Sequence, residues 1–223
     1  MAGKLFLSGG GDEKQTFEVD EIFLRDINSI LYISLAWNNK NYNTCREWFI
    51  NAMKQHKEVS IEMLTDLSKE IDFTKFNAIY IGGGNTFKLL KKIKDTNFNK
   101  RLIEFFDQGG TIYGGSAGAI ILGADINLAL ICKDIDTNKV NLVETSALNL
   151  INNQDIQPHF ESNELVKNQD YTGKTNRDII GIPEGSALFF DGEEFKAIGA
   201  EPITIIKKNS SKNYQVNHTI SII

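Results

Sequence analysis

The sequence predicts an α/β protein: a mostly parallel sheet with helices on both faces, followed by C-terminal β hairpins. Short apolar runs alternate with helical patterns as far as Ala119, and glycine-rich turns follow several of those runs. A strand-helix-strand alternation implies parallel pairing, because each helix carries the chain back to the same end of the sheet. Beyond Ile179 the pattern changes to short strands separated by turn residues.

Strand-length apolar runs stand at Leu5 to Leu7, Ile30 to Leu35, Val59 to Met63, Ala78 to Ile81 and Thr111 to Tyr113, bounded by glycine or polar residues. Between them, Glu13 to Leu24, Cys45 to His56, Thr86 to Ile93 and Asn97 to Phe106 place apolar residues three and four apart. Trp48 with Ala52, and Phe87 with Leu90, show the helical spacing. Residues 124 to 156 read as a loop-rich excursion. Later strands are expected at Ser186 to Phe190, Phe195 to Ile198, Ile203 to Ile206 and Tyr214 to Val216, with turns at Asp191-Gly192 and Asn209 to Asn213.

At 223 residues the chain is long enough to bury a full core, and one domain over 1–223 is expected. A formal charge of -5 argues against a nucleic-acid surface, which needs clustered Lys and Arg. The lysines of Lys88 to Lys94 read as the solvated face of a helix. The sequence has no apolar run of membrane-spanning length, and Met1-Ala-Gly-Lys-Leu passes straight into a strand without a cleavable signal pattern, so a cytoplasmic protein with no membrane partner is expected. Cys45 and Cys132 are far apart and lack metal-ligand spacing, which fits reduced thiols.

The most informative stretch is Gly114-Gly-Ser-Ala-Gly-Ala119, which sets Ser116 in a Gly-x-Ser-x-Gly turn between an apolar strand and an apolar helix. Such a turn exposes the hydroxyl of a nucleophile. A serine hydroxyl needs a base to take its proton and a further group to orient that base. Among the histidines, His56 sits at the polar end of a helix and His218 in a peripheral strand. His159, in Gln157-Pro-His-Phe160, stands at a strand end, where sheets of this kind collect functional groups. The orienting acid is open among Asp125, Asp134, Asp136, Glu144 and Asp155. A second glycine cluster, Ile81-Gly-Gly-Gly-Asn-Thr86, offers backbone N–H donors at Gly84, with Ala117 as a second donor beside the nucleophile; Asn85 belongs to the same substrate-facing turn. Ser8-Gly-Gly-Gly-Asp12 lacks the ending of a phosphate loop and reads as a plain strand-to-helix turn.

These motifs resemble the dipeptidase E group of serine peptidases, which includes cyanophycinase-like members. The resemblance rests on Ile81 to Phe87 with Leu89-Leu90, Gly114 to Ala119, Ala147 to Leu150 before Pro158-His-Phe160, and Gly181-Ile-Pro-Glu-Gly185. It implies a flavodoxin-like or class I glutamine amidotransferase-like fold, small peptide substrates, and neither a metal nor an organic cofactor. It also implies Ser116 as nucleophile, His159 as base and then acid, Gly84 and Ala117 as oxyanion donors, and Asp134 as third member, with Asp136 the close alternative. The arginine of aspartyl-specific members has no counterpart in residues 160 to 176, so the resemblance does not imply aspartyl specificity. A general α/β-hydrolase esterase fits less well, because too little chain separates Ser116 from His159. A catalytically silent binder holding a small anion on the glycine turns is the alternative in another class. An amidotransferase is disfavoured, since its elbow requires cysteine. The oligomeric state is left open.

Overall fold

The computed structural model describes residues 3–37 and 41–222; Met1, Ala2 and Ile223, which bound the expected domain, lie outside them. Strands β1 (Lys4–Ser8), β2 (Ser29–Ile33), β3 (Ser60–Leu64), β4 (Ala78–Ile81) and β5 (Thr111–Gly115) run parallel in the order β1-β5-β4-β2-β3. Helices α1 (Phe17–Leu24), α2 (Tyr42–Lys54), α3 (Thr86–Asp95) and α4 (Phe98–Asp107) connect them. Alternate strand residues face opposite sides of the sheet. Leu5, Leu7, Leu31, Ile33 and Ile81 therefore join one core, while Phe6, Ile30, Tyr32 and Tyr113 join the other. Burial on both faces is why these strands read as unbroken apolar runs.

After the short helix α5 (Ala117–Ile120), the chain enters the loop-rich excursion and returns as β6 (Asp155–Gln157), α6 (Leu165–Thr175) and β7 (Ile179–Gly181). Next, β8 (Ser186–Phe190) pairs antiparallel with β1, β9 (Phe195–Gly199) with β8, and β12 (Thr219–Ile220) with β9. A second, four-stranded sheet runs β11-β10-β7-β6, built with β10 (Ile203–Lys207) and β11 (Ser210–Tyr214). The architecture is a flavodoxin-like α/β fold with a mostly parallel sheet.

Two local expectations differ from the structure. The first helix starts at Phe17 rather than Glu13, because Asp12 Oδ1 accepts the N–H groups of Lys14 and Gln15, at 2.9 Å each, and holds a turn there. The last hairpin turns before Ser210, so β11 is Ser210–Tyr214, where the sequence pattern predicts a turn, and Val216 lies in the turn beyond it. Residues 210–213 are exposed and polar, so no apolar alternation marks them.

Asp20 of α1 is buried behind the sheet; its Oδ2 accepts the Thr16 hydroxyl at 2.8 Å, and its Oδ1 has no hydrogen-bond partner among the described residues. Burial, only partly offset by the hydrogen bond from Thr16, raises its pKa from 3.8 to about 6. The unfolded chain releases this proton near pH 4, whereas the folded chain keeps it until about pH 6. Stability is therefore lost as pH rises through that window, by up to about 3 kcal/mol. Asp20→Asn is expected to melt above wild type at pH 7.5, with the gap closing toward pH 4. Thermal melts across that range check it; a gap independent of pH contradicts it.

Candidate active site

The C-terminal ends of β1, β4 and β5 meet where the strand order reverses, the point at which open α/β sheets place ligands. Ser116 follows β5 there with φ 51° and ψ −113°, a backbone region that disfavours any residue with a Cβ. The fold holds it from two sides. Ser116 N–H donates to Ser8 O at 3.2 Å, and the carbonyl of Ser116 starts α5 by accepting from Ala119 and Ile120. Gly118 is required by contact, since a Cβ there would stand 2.2 Å from Ile81 O on β4. That close approach seats α5 against the sheet directly behind the serine.

His159 reaches the site from the turn after β6. Its Nε2 lies 2.9 Å from Ser116 Oγ, and its Nδ1 lies 2.9 Å from Glu184 Oε1. A carboxylate only accepts, so Nδ1 carries the proton and donates to Glu184, which leaves Nε2 to accept from the serine hydroxyl. The hydrogen bond from His159, supported by one from Gln15, holds the Glu184 carboxyl below the usual carboxylate range despite partial burial. Glu184 sits in the Pro183-Glu-Gly185 turn between β7 and β8, and β8 is the strand paired to β1.

The loop after β1, read from sequence as a plain turn, grips this histidine. His159 N–H donates to Gly9 O and Gly185 N–H to Gly10 O, both at 2.9 Å. Gly10 has φ +87°, and a Cβ there would stand 2.4 Å from His159 Cε1. Gly10→Ala is therefore expected to push the ring off Ser116 and cut kcat by about 100-fold or more, as misplacement of a catalytic group does. Gly173→Ala on α6, whose added Cβ has the Lys208 side chain as its nearest neighbour at an ordinary 3.5 Å, should leave kcat unchanged. Steady-state kinetics on both variants check this.

The sequence-derived acids stand near His159 without pairing with it. Neither Asp134 nor Asp136 bonds to His159; both line a cavity of about 150 Å³ together with Gly84, Ser116 and His159. Asp136 caps α3, its Oδ2 accepting Thr86 N–H at 2.7 Å and its Oδ1 accepting Asn85 Nδ2 at 3.2 Å. Asn85 is fully engaged in the same cap, with Oδ1 accepting Lys88 N–H at 2.9 Å. Gly84 lines the cavity, and a Cβ built on its neighbour Gly83 would stand 3.5 Å from Ser116 Oγ. The N–H groups of Gly84 and Ala117 donate to no group among the described residues. Cys132 also lines the cavity, but burial pushes its thiol up to about 12, so it stays protonated.

A sequence profile described as peptidase family S51 matches residues 5–198. The chain belongs to peptidase family S51. Membership makes it a serine-type peptidase. Among relatives, an uncharacterized peptidase of Listeria monocytogenes is 31% identical over 151 residues, covering 65% of this chain and 70% of that protein. A Pasteurella multocida protein named peptidase E is 25% identical over 94% of each chain. Of solved structures, a putative peptidase E from Listeria monocytogenes aligns with TM-score 0.69 and 25% identity over 90% of this chain and 100% of that one. A peptidase from an acI-B1 Actinobacterium shares the fold, with TM-score 0.73 and 20% identity over 99% of this chain and 97% of that one.

In this S51 member, Arg177 is committed away from the serine. Its Nε donates to the buried Asp155 at 2.9 and 3.0 Å, and its guanidinium lies 3.7 Å from Asp125. Burial raises the Asp155 pKa to about 6 even against this cation. Among the described residues lining the 150 Å³ cavity there is no Lys or Arg. No described helix of the S51 chain is long and apolar enough to cross a membrane.

Proposed function

We propose that the chain hydrolyses short peptides through an acyl-enzyme on Ser116, with His159 as general base then acid and Glu184 as the orienting carboxylate. The observation that carries this is the Ser116 Oγ, His159 Nε2, Nδ1, Glu184 Oε1 relay, both contacts at 2.9 Å. As Ser116 Oγ attacks the scissile carbonyl, its proton passes to His159 Nε2, and Glu184 stabilises the imidazolium that forms. The carbonyl oxygen takes the negative charge, and the free N–H groups of Gly84 and Ala117 are the donors beside it. His159 Nε2–H then protonates the leaving amine as the C–N bond breaks. Water, activated by the same nitrogen, hydrolyses the ester and restores Ser116.

The 150 Å³ cavity beside Ser116 takes the residue that supplies the attacked carbonyl. Its small volume, and the carboxylates of Asp134 and Asp136 on its wall, favour a small, non-acidic residue. A dipeptide panel tests this. Ala-X and Gly-X peptides are expected to exceed Asp-X peptides in kcat/KM by about tenfold or more, the scale of one unfavourable charge contact; preferred cleavage of Asp-X overturns the assignment. The anion-binding alternative is weakened by Asp136, whose carboxylate already accepts the Thr86 N–H at the start of α3. Peptidase activity is expected in the cytoplasm and without added metal; full activity of chelator-treated protein is the expected result.

A further inference from the structure

The glycine-rich loop after β1 carries an amide that reaches the acid of the candidate triad. Gln15 Nε2 donates to Glu184 Oε2 at 3.1 Å, while Gln15 Oε1 accepts Asp12 N–H at 2.8 Å. Asp12 Oδ1 in turn accepts the N–H groups of Lys14 and Gln15. The amide is thus anchored at its oxygen to a backbone turn and presents its nitrogen to Glu184. Glu184 uses one oxygen for His159 and the other for Gln15, so its plane is fixed by two partners at opposite oxygens. This matters because the Glu184 side chain is 45% exposed, which leaves its orientation to its hydrogen bonds.

We infer that Gln15 is a positioning residue that holds the Glu184 carboxylate in line with His159 Nδ1. The inference rests on the triad reading above and extends it to a loop whose sequence reads as a plain turn. Among the described residues the Gln15 side chain hydrogen-bonds to Asp12 N–H and Glu184 and to neither Ser116 nor His159, so its link to the catalytic pair runs through Glu184. Its effect follows from one hydrogen bond to a partly exposed charge. Removing it should lower turnover by about threefold to tenfold. The donor nitrogen is essential to this role. Gln15→Glu places a second carboxylate against Glu184 and should cost more than Gln15→Ala.

The test is a double-mutant cycle on the full chain, with peptide turnover and the rate of Ser116 modification by a fluorophosphonate as parallel readouts. Gln15→Ala is expected to lower kcat and the labelling rate together, with KM and melting temperature unchanged. In a Glu184→Ala background the same substitution should cost nothing, because no carboxylate remains to hold. A merely structural role for Gln15 gives equal losses in both backgrounds and overturns the inference, as does unchanged kcat in Gln15→Ala. If wild type neither turns over peptides nor labels at Ser116, the proposed function itself falls and this inference with it. Wild-type labelling that is unaffected by Gln15→Ala sinks the inference alone.

Discussion

Ser116→Ala is expected to lower peptide turnover by at least about 10⁴-fold, the scale seen when a triad nucleophile is removed. The fold should be untouched, because the Ser116 side chain makes no contact on which the sheet depends: among the described residues its Oγ hydrogen-bonds to His159 alone. The backbone gives a second readout. Ser116 holds φ 51° and ψ −113°, and strain of this kind costs of order 1–3 kcal/mol. Ser116→Ala keeps the Cβ and the strain, whereas Ser116→Gly relieves it. Ser116→Gly is thus expected to be as inactive as Ser116→Ala yet to melt a few degrees above wild type, corresponding to about 1 kcal/mol. Calorimetry with parallel kinetics checks both halves. Equal melting temperatures for Ser, Ala and Gly would remove the strain from the account, and unchanged turnover in Ser116→Ala would remove the nucleophile.

Glu184→Gln should lower kcat by roughly 10²- to 10⁴-fold, as loss of the orienting charge does in serine hydrolases. The amide has nearly the same shape, so the loss reports charge and tautomer. The introduced amide can offer an N–H to Nδ1, which would place the imidazole proton on Nε2 and leave no acceptor for the serine proton. Asp134→Asn is expected to leave kcat within a few-fold of wild type, since Asp134 has no hydrogen bond to His159. Its effect should appear instead in KM, because Asp134 lines the cavity assigned to substrate. The reverse pattern, a collapse of kcat in Asp134→Asn with Glu184→Gln nearly active, would restore the acid expected from sequence.

Why the serine and histidine are legible in the sequence while the glutamate is not follows from how each is placed. Ser116 is marked locally: Gly114 and Gly118 are there because strand, turn and helix approach too closely for a Cβ, and that requirement is written within five residues. His159 stands at a strand end, and the other histidines lie on a helix end and in a turn near the C-terminus. Glu184 comes to His159 by non-local pairing. β8 lies against β1 and β7 lies beside β6, so the turn between β7 and β8 is delivered to the β1 loop from across the fold. Nothing in the stretch between Ser116 and His159 announces this, and although Gly181 to Gly185 carries part of the resemblance, the motif by itself does not mark its glutamate as the acid. The same reason hides the β1 loop: its glycines read as a turn, and only the contacts with His159, Glu184 and Gly185 give it a further role. The parallel strands are legible because burial on both faces leaves a run of apolar residues, whereas β11 is not, because its exposed residues leave no such trace.

The most direct test of the central claim is to trap the acyl-enzyme. Wild-type protein mixed with an activated alanine ester, quenched in acid and mapped by mass spectrometry, should carry one alanyl group, on the peptide containing Ser116, and His159→Ala should carry none. An adduct confined to another residue, or peptide turnover with no adduct at Ser116 under any quench time, would contradict it.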